Sequence, residues 1–115
     1  MIHQIMIAPQ FTYRAIVVRV IDGDTVVLDI DLGFGVWLHK QSIRLLGVNA
    51  PEIRGEEREE GLKWKAKLES LIPVGTEIIL ESFRDKSDKY GRWLGNLWLG
   101  ERLLNEEMKT LKATV

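Results

Sequence analysis

Runs of β-branched residues dominate the first fifty positions of the chain. Tyr13 to Ile21 (YRAIVVRVI) reads as one strand. Asp22-Gly23, a favoured hairpin-turn pair, separates it from Thr25 to Leu32, whose second half alternates apolar and acidic side chains as a half-buried strand does. Gly33-Phe34-Gly35 marks a loop or bulge. Beyond it lie a short strand at Val36 to His39 and a longer one from Ser42 to Val48, closed by Asn49-Ala50-Pro51. From about Glu57 the period changes. Gly61, Trp64, Leu68, Leu71 and Ile72 fall within about 100° of arc at 3.6 residues per turn, with Lys63, Lys65, Lys67 and Glu69 outside it. This predicts an amphipathic helix stopped by Pro73. Glu77 to Phe83 and Trp93 to Leu99 read as strands, and Leu104, Met108 and Leu111 have the spacing of a short final helix. The pattern predicts a β-rich α+β fold: an OB-like, five-stranded antiparallel barrel, a helix after the third strand and a short C-terminal helix.

The length of 115 residues suits one domain covering 1–115, large enough for its own core. Absence of cysteine excludes a disulfide framework, a thiolate metal site and a cysteine nucleophile. No apolar run is long enough to span a membrane, and the apolar Met1 to Pro9 stretch lacks the basic start and cleavage site of a secretory signal. The expected setting is cytoplasmic. With 16 Lys and Arg against 17 Asp and Glu, the formal charge is −1. Global charge therefore gives no support to a polyanionic partner, and any such case rests on a local site.

Three clusters could carry chemistry. Asp22-Gly23-Asp24-Thr25 is a hairpin turn that would leave the Asp24 carboxylate at a barrel rim. In Arg44-Leu45-Leu46-Gly47-Val48-Asn49-Ala50-Pro51-Glu52, an arginine interrupts an apolar strand, and its fork suits phosphate oxygens as readily as it suits solvent. Pro51 restricts Ala50 to extended backbone angles, so Asn49, the Ala50 carbonyl and Glu52 could present three oxygens from one tight loop. Oxygen ligands suit calcium or magnesium rather than zinc. The third cluster, Arg84 to Arg92, holds four basic and two acidic side chains and is the best anion-facing segment of the chain. Each cluster taken singly is also an ordinary turn or a solvated loop.

Their combination and order are more specific. A valine-rich strand, Asp-Gly-Asp-Thr, Arg-Leu-Leu-Gly-Val-Asn-Ala-Pro-Glu, an amphipathic helix and Asp-Lys-Tyr-Gly-Arg together resemble the staphylococcal nuclease family from about Ala15 to Leu111. The resemblance implies the same barrel and a calcium-dependent phosphodiesterase that cuts DNA, with RNA as a second substrate, leaving 3′-phosphate ends. It implies Asp24, Asn49 and the Ala50 carbonyl as calcium ligands and Arg44 and Arg92 as phosphate clamps. Glu52 would be the general base, and Lys89 and Tyr90 would line the nucleotide pocket.

Departures from the family pattern carry their own expectations. Asn49 stands where relatives carry an aspartate, so the side-chain ligands bring one negative charge instead of two and calcium binding is expected to be weak. Asn49→Asp is expected to strengthen it, at a small stability loss without metal. The Asp29 to Gln41 segment is longer than the compact hairpin of the secreted enzymes and resembles bacterial and phage-encoded relatives. The C-terminus stops at Val115, short of a further helix, and the expectation is an apolar face left for a partner or for a second copy in a homodimer. Trp64, Trp93 and Trp98 are expected in the core. Trp37 is the tryptophan best placed to stack on a base, although packing is the commoner role. Asp29 and Asp31 read as the wet face of a strand, and His3 and His39 receive no role. A second class, a catalytically weak or inactive nucleic-acid-binding module on the same barrel, shares the pattern; retention of Arg44, Glu52 and Arg92 favours the nuclease. An OB-type protein-interaction domain would fit the near-neutral charge but leaves those residues unexplained.

Overall fold

A computed structural model describes residues 8–84 and 92–111. Strand β1 (Thr12–Asp22) pairs antiparallel with β2 (Thr25–Gly33), and β2 with β3 (Val36–Leu45). After helix α1 (Arg58–Leu71), β4 (Glu77–Phe83) returns to the free edge of β1, and β5 (Trp93–Leu99) pairs with β4. The barrel closes where β5 meets β3, with Ile43 beside Trp93, Arg44 beside Leu94 and Leu45 beside Gly95. That closing pair is parallel, so the five-stranded barrel is mixed rather than wholly antiparallel. The reason is connectivity. α1 carries the chain back across the barrel, so the strand that completes the circle runs in the same direction as β3.

Two expected strands, Val36 to His39 and Ser42 to Val48, form the single strand β3. Lys40 absorbs the irregularity between them by adopting φ 55, and the pairing with β2 shifts register between Leu28 and Ile30. The Lys40 N–H donates to Asp29 Oδ1 at 2.8 Å, which holds the bulge. The hairpin tip is Phe34-Gly35, both with positive φ as a two-residue I′ turn requires. A two-residue strand β6 (Arg102–Leu103), absent from the sequence pattern, pairs with β5 and leads into helix α2 (Leu104–Lys109).

The core lies inside the barrel and beneath α1. Alternate residues of the strands face inward (Ala15, Val17, Val26, Leu28, Ile43, Leu45, Ile78, Leu80, Leu97) and meet Trp64, Leu68 and Ile72 from the α1 segment. Helix α2 buries Leu104 and Met108 in the same core, and Leu111 packs against it. The apolar stripe of α2 is thus covered by the chain's own barrel and gives no support to the expected homodimer. Asn105, buried on α2, does what no apolar side chain could there. Its amide nitrogen donates to the carbonyls of Leu46 and Gly95, each at 2.9 Å, and its oxygen accepts from the Leu97 N–H. One side chain thereby ties α2 to β5 and to the loop after β3, satisfying three backbone groups. Among the described residues no helix is long and apolar enough to cross a membrane.

Of the tryptophans expected in the core, Trp64 is buried and Trp98 half-buried, but Trp93 is 44% exposed. Trp37 is half-buried, stacked on His39 and covered by the Arg14 guanidinium at 5.8 Å. His39 itself lies 3.2 Å from Asp29.

Candidate functional site

The β1–β2 connection is tighter than the Asp-Gly pair alone implies. Asp22 pairs with Thr25, so the two-residue turn is Gly23-Asp24 and Asp24 sits within it. Gly23 is needed for space: a Cβ there would lie 2.5 Å from the Trp64 Cβ and 2.9 Å from that of Ala50. The turn is pressed between α1 and the loop after β3, and that pressure buries Asp24 to 7% exposure.

A carboxylate so buried must be satisfied by partners. Asp24 Oδ1 accepts the Thr25 hydroxyl at 2.9 Å, and Oδ2 accepts the Ala50 N–H at 3.0 Å. Arg44, at the end of β3, stands 3.6 Å from Asp24 Oδ2. The same guanidinium nitrogen donates to Asn49 Oδ1 at 3.2 Å and to the Val48 carbonyl at 3.4 Å. Arg92, just before β5, donates to the Thr25 hydroxyl at 3.4 Å. Both arginines therefore converge on Asp24, one directly and one through Thr25.

Asp22 belongs to this cluster, although sequence reasoning assigned it only to the turn. Its Oδ1 accepts the Asp24 N–H at 3.0 Å. Burial, reinforced by the adjacent Asp24 carboxylate, pushes the Asp22 carboxyl up to about 6. The signal was present in the spacing of the two aspartates around one glycine.

Glu52 lies on the exposed loop after Pro51. Its backbone N–H donates to Glu57 Oε2 at 2.8 Å, from the 3₁₀ turn Gly55–Glu57 that precedes α1. Its own carboxylate has no partner among the described residues. Gly61 sets how near this loop approaches the helix, because a Cβ at Gly61 would fall 2.1 Å from the Glu52 carbonyl oxygen and 2.5 Å from its carbon. Glu57 and Gly61 are positioning residues for Glu52; the apolar arc of α1 contained Gly61 but could not say what it touches. Lys89 and Tyr90 lie outside the described residues.

The donor set suits a hard cation. Asp24, Asn49 and the Ala50 carbonyl offer oxygen alone, the chemistry of calcium and magnesium sites. Two of these residues already hold a cationic group, since Arg44 stands against both Asp24 and Asn49. No cluster of three or more His, Cys, Asp or Glu suited to a metal occurs among the described residues, so any ion here would depend on the Asn49 amide and on backbone carbonyls.

A sequence profile described as "Staphylococcal nuclease homologue" matches residues 42–111, more than half of the chain. The chain is 32% identical over 108 residues to the thermonuclease of Staphylococcus hyicus, covering 88% of this chain and 56% of that one. It is 33% identical over 95 residues to the thermonuclease of Staphylococcus intermedius, covering 81% and 53%. An uncharacterised protein of Methanocaldococcus jannaschii is 31% identical over 122 residues, covering 87% and 56%. The chain spans about half the length of these curated relatives.

Proposed function

The chain belongs to the staphylococcal nuclease family, and from that membership we propose that it is a nuclease hydrolysing phosphodiester bonds of DNA, with RNA as a second substrate. The observation that carries the reading is the convergence of Asp24, Arg44, Asn49, Ala50 and Arg92, far apart in the chain, on one end of the barrel. The thermonucleases it resembles are nucleases by name.

In this reading the scissile phosphate lies between Arg44 and Arg92, whose forks neutralise charge developing on its equatorial oxygens. Glu52, whose carboxylate has no partner among the described residues, accepts a proton from water. The new bond joins that water oxygen to phosphorus, the bond to the 5′ oxygen breaks and that oxygen takes a proton from solvent, leaving a 3′-phosphate and a 5′-hydroxyl. Calcium would be held by Asp24, Asn49 and the Ala50 carbonyl. When bound it supplies Lewis-acid stabilisation of phosphoryl charge. Holding Asp24 in place falls to Thr25 and the Ala50 N–H, and holding Glu52 to Glu57.

Incubating single-stranded DNA with the protein in calcium, in magnesium and in chelator tests this. Cleavage in calcium, its loss in chelator and 3′-phosphate ends are expected. An absence of cleavage in every metal, with DNA still bound, would give first place to the binding-module reading.

A further inference from the structure

A cavity of about 450 Å³ opens at the barrel mouth, lined from all five barrel strands β1 to β5, a volume typical of small-ligand sites. Its floor is Ile30, Ile43 and Leu80. Its walls include the rings of Phe11, Tyr13 and Trp93. Among the described residues no carboxylate lines it, and the charged side chain in its wall is Arg84, whose guanidinium lies 6.0 Å over the Trp93 ring. Gln41 also lines it, and its amide nitrogen is spent on the His39 carbonyl. Among the described residues, its amide oxygen and the Tyr13 hydroxyl have no hydrogen-bond partner. The cavity thus offers flat apolar faces, a cation and a few free polar atoms.

Its position decides what ligand that suits. Trp93 directly follows Arg92, and Ile43 directly precedes Arg44, on neighbouring strands in which Ile43 pairs with Trp93. Each arginine is thus the chain neighbour of a residue lining the cavity, about 3.3 Å away along the backbone, and the Arg44 side chain leaves the opposite face of β3 from the buried Ile43. We propose that the cavity is a subsite for one unpaired nucleobase, stacked against Trp93, of a single strand whose phosphate backbone runs past Arg44 and Arg92. The proposal rests on the nuclease reading for the identity of the strand, and on the cavity alone for the seat of the base. Sequence-tolerant base stacking on aromatic rings beside cations is a general mode of single-strand binding. An unpaired base is required because a stacked and paired one cannot reach such a cavity.

The test is binding of labelled short single-stranded DNA in chelator, where cleavage does not intervene, using intact strands and strands with abasic positions. The parent is expected to bind the intact strand about tenfold or more tightly than the abasic one, the reach of one stacked base. Trp93→Ala should abolish that difference, and Trp93→Phe should keep most of it. Should Trp93→Ala fail to fold, Gln41→Ala and Tyr13→Phe serve in its place, read as altered preference among the four homopolymers. Equal discrimination by parent and Trp93→Ala, or unchanged homopolymer preference in both substitutes, would overturn the subsite. So would a parent that sediments as a dimer and a Trp93→Ala that does not, since a second copy would then cover the cavity. Base-dependent binding without cleavage in calcium would sink the nuclease reading and leave the subsite standing; cleavage without base-dependent binding would do the reverse.

Discussion

At each end of β2 an aspartate faces an arginine from a neighbouring strand. Near the hairpin tip, Asp31 meets Arg14 of β1 at 2.7 Å, with side chains 19% and 51% exposed. At the other end Asp24 meets Arg44 of β3 at 3.6 Å, with side chains 10% and 32% exposed. The shorter contact has less to do. Water screens Asp31 and Arg14, and an exposed pair of this kind contributes little to stability. The longer contact joins groups that water reaches poorly, so each is committed to its partners: Asp24 to Thr25, Ala50 and Arg44, and Arg44 to Val48 and Asn49. Burial and the count of bonds, not separation, decide which pair matters. The buried end is also where helix packing through Gly23 and Gly61 sets the loops, whereas the hairpin arm carries its own local bonds.

The largest effect that would break this contrast lies in the two arginines. Arg44→Lys and Arg92→Lys keep the charge and lose the fork, and each is expected to lower the cleavage rate about 10²–10³-fold. Single-turnover assays at saturating calcium check this, and parent-like rates for both would remove them as phosphate clamps.

Gly61→Ala comes next. Its methyl group has no room against the Glu52 carbonyl, and overpacking of this kind costs about 1–3 kcal/mol. The displaced loop carries the proposed base, so cleavage should fall further than a melting curve alone explains. A variant as active and as stable as the parent would show that α1 does not position Glu52.

Asn49→Asp sharpens the comparison from the metal side. Calcium affinity should rise about tenfold, as ligand charge tunes it, and calcium titration followed by cleavage reads this out. The structure revises the expectation for the metal-free protein. The new carboxylate would meet Arg44, which already donates to Asn49 Oδ1 at 3.2 Å, and not Asp24 alone. Metal-free stability should therefore hold or rise, and a clear fall would place Arg44 elsewhere in solution.

A smaller effect is expected from Asp22. Its carboxyl is raised in the fold from 3.8 to about 6, so the native state binds more protons than the unfolded chain between those values. Stability from this group is present below the unfolded value and is lost as pH rises through about 6. Asp22→Asn keeps an oxygen for the Asp24 N–H and should flatten that part of the profile. Thermal midpoints in chelator across about pH 4–8 show whether it does. The smallest effect belongs to Asp31→Asn, which should leave the midpoint close to the parent's, because the Arg14 pair is solvated. A large loss there would overturn the contrast between the two ends of β2.

The hydrophobic period legibly marked β1, β2, β4, β5 and α1, because burial of one strand face or one helix stripe is a local property of the sequence. Residue identity alone was enough to mark Asp24, Arg44, Asn49, Ala50, Glu52 and Arg92 as a set through resemblance to the family. Lys89 and Tyr90 fall outside the described residues, and the roles of the others await the assays above. Much else was decided only by the tertiary structure. The parallel closure of β5 on β3 depends on where α1 carries the chain. The continuity of β3 depends on Lys40 adopting a backbone angle that its side chain does not favour, held by Asp29. Trp93 left the expected core for the rim of a cavity because β5 begins at the barrel mouth. Along the chain Asn105 is unmarked, Gly23 reads only as a turn residue and Gly61 only as part of a helix arc, yet each acts through atoms 8 to 59 positions away. Periodicity records which side of an element meets the core, whereas the partners of a buried amide or a missing Cβ exist only once distant segments have packed.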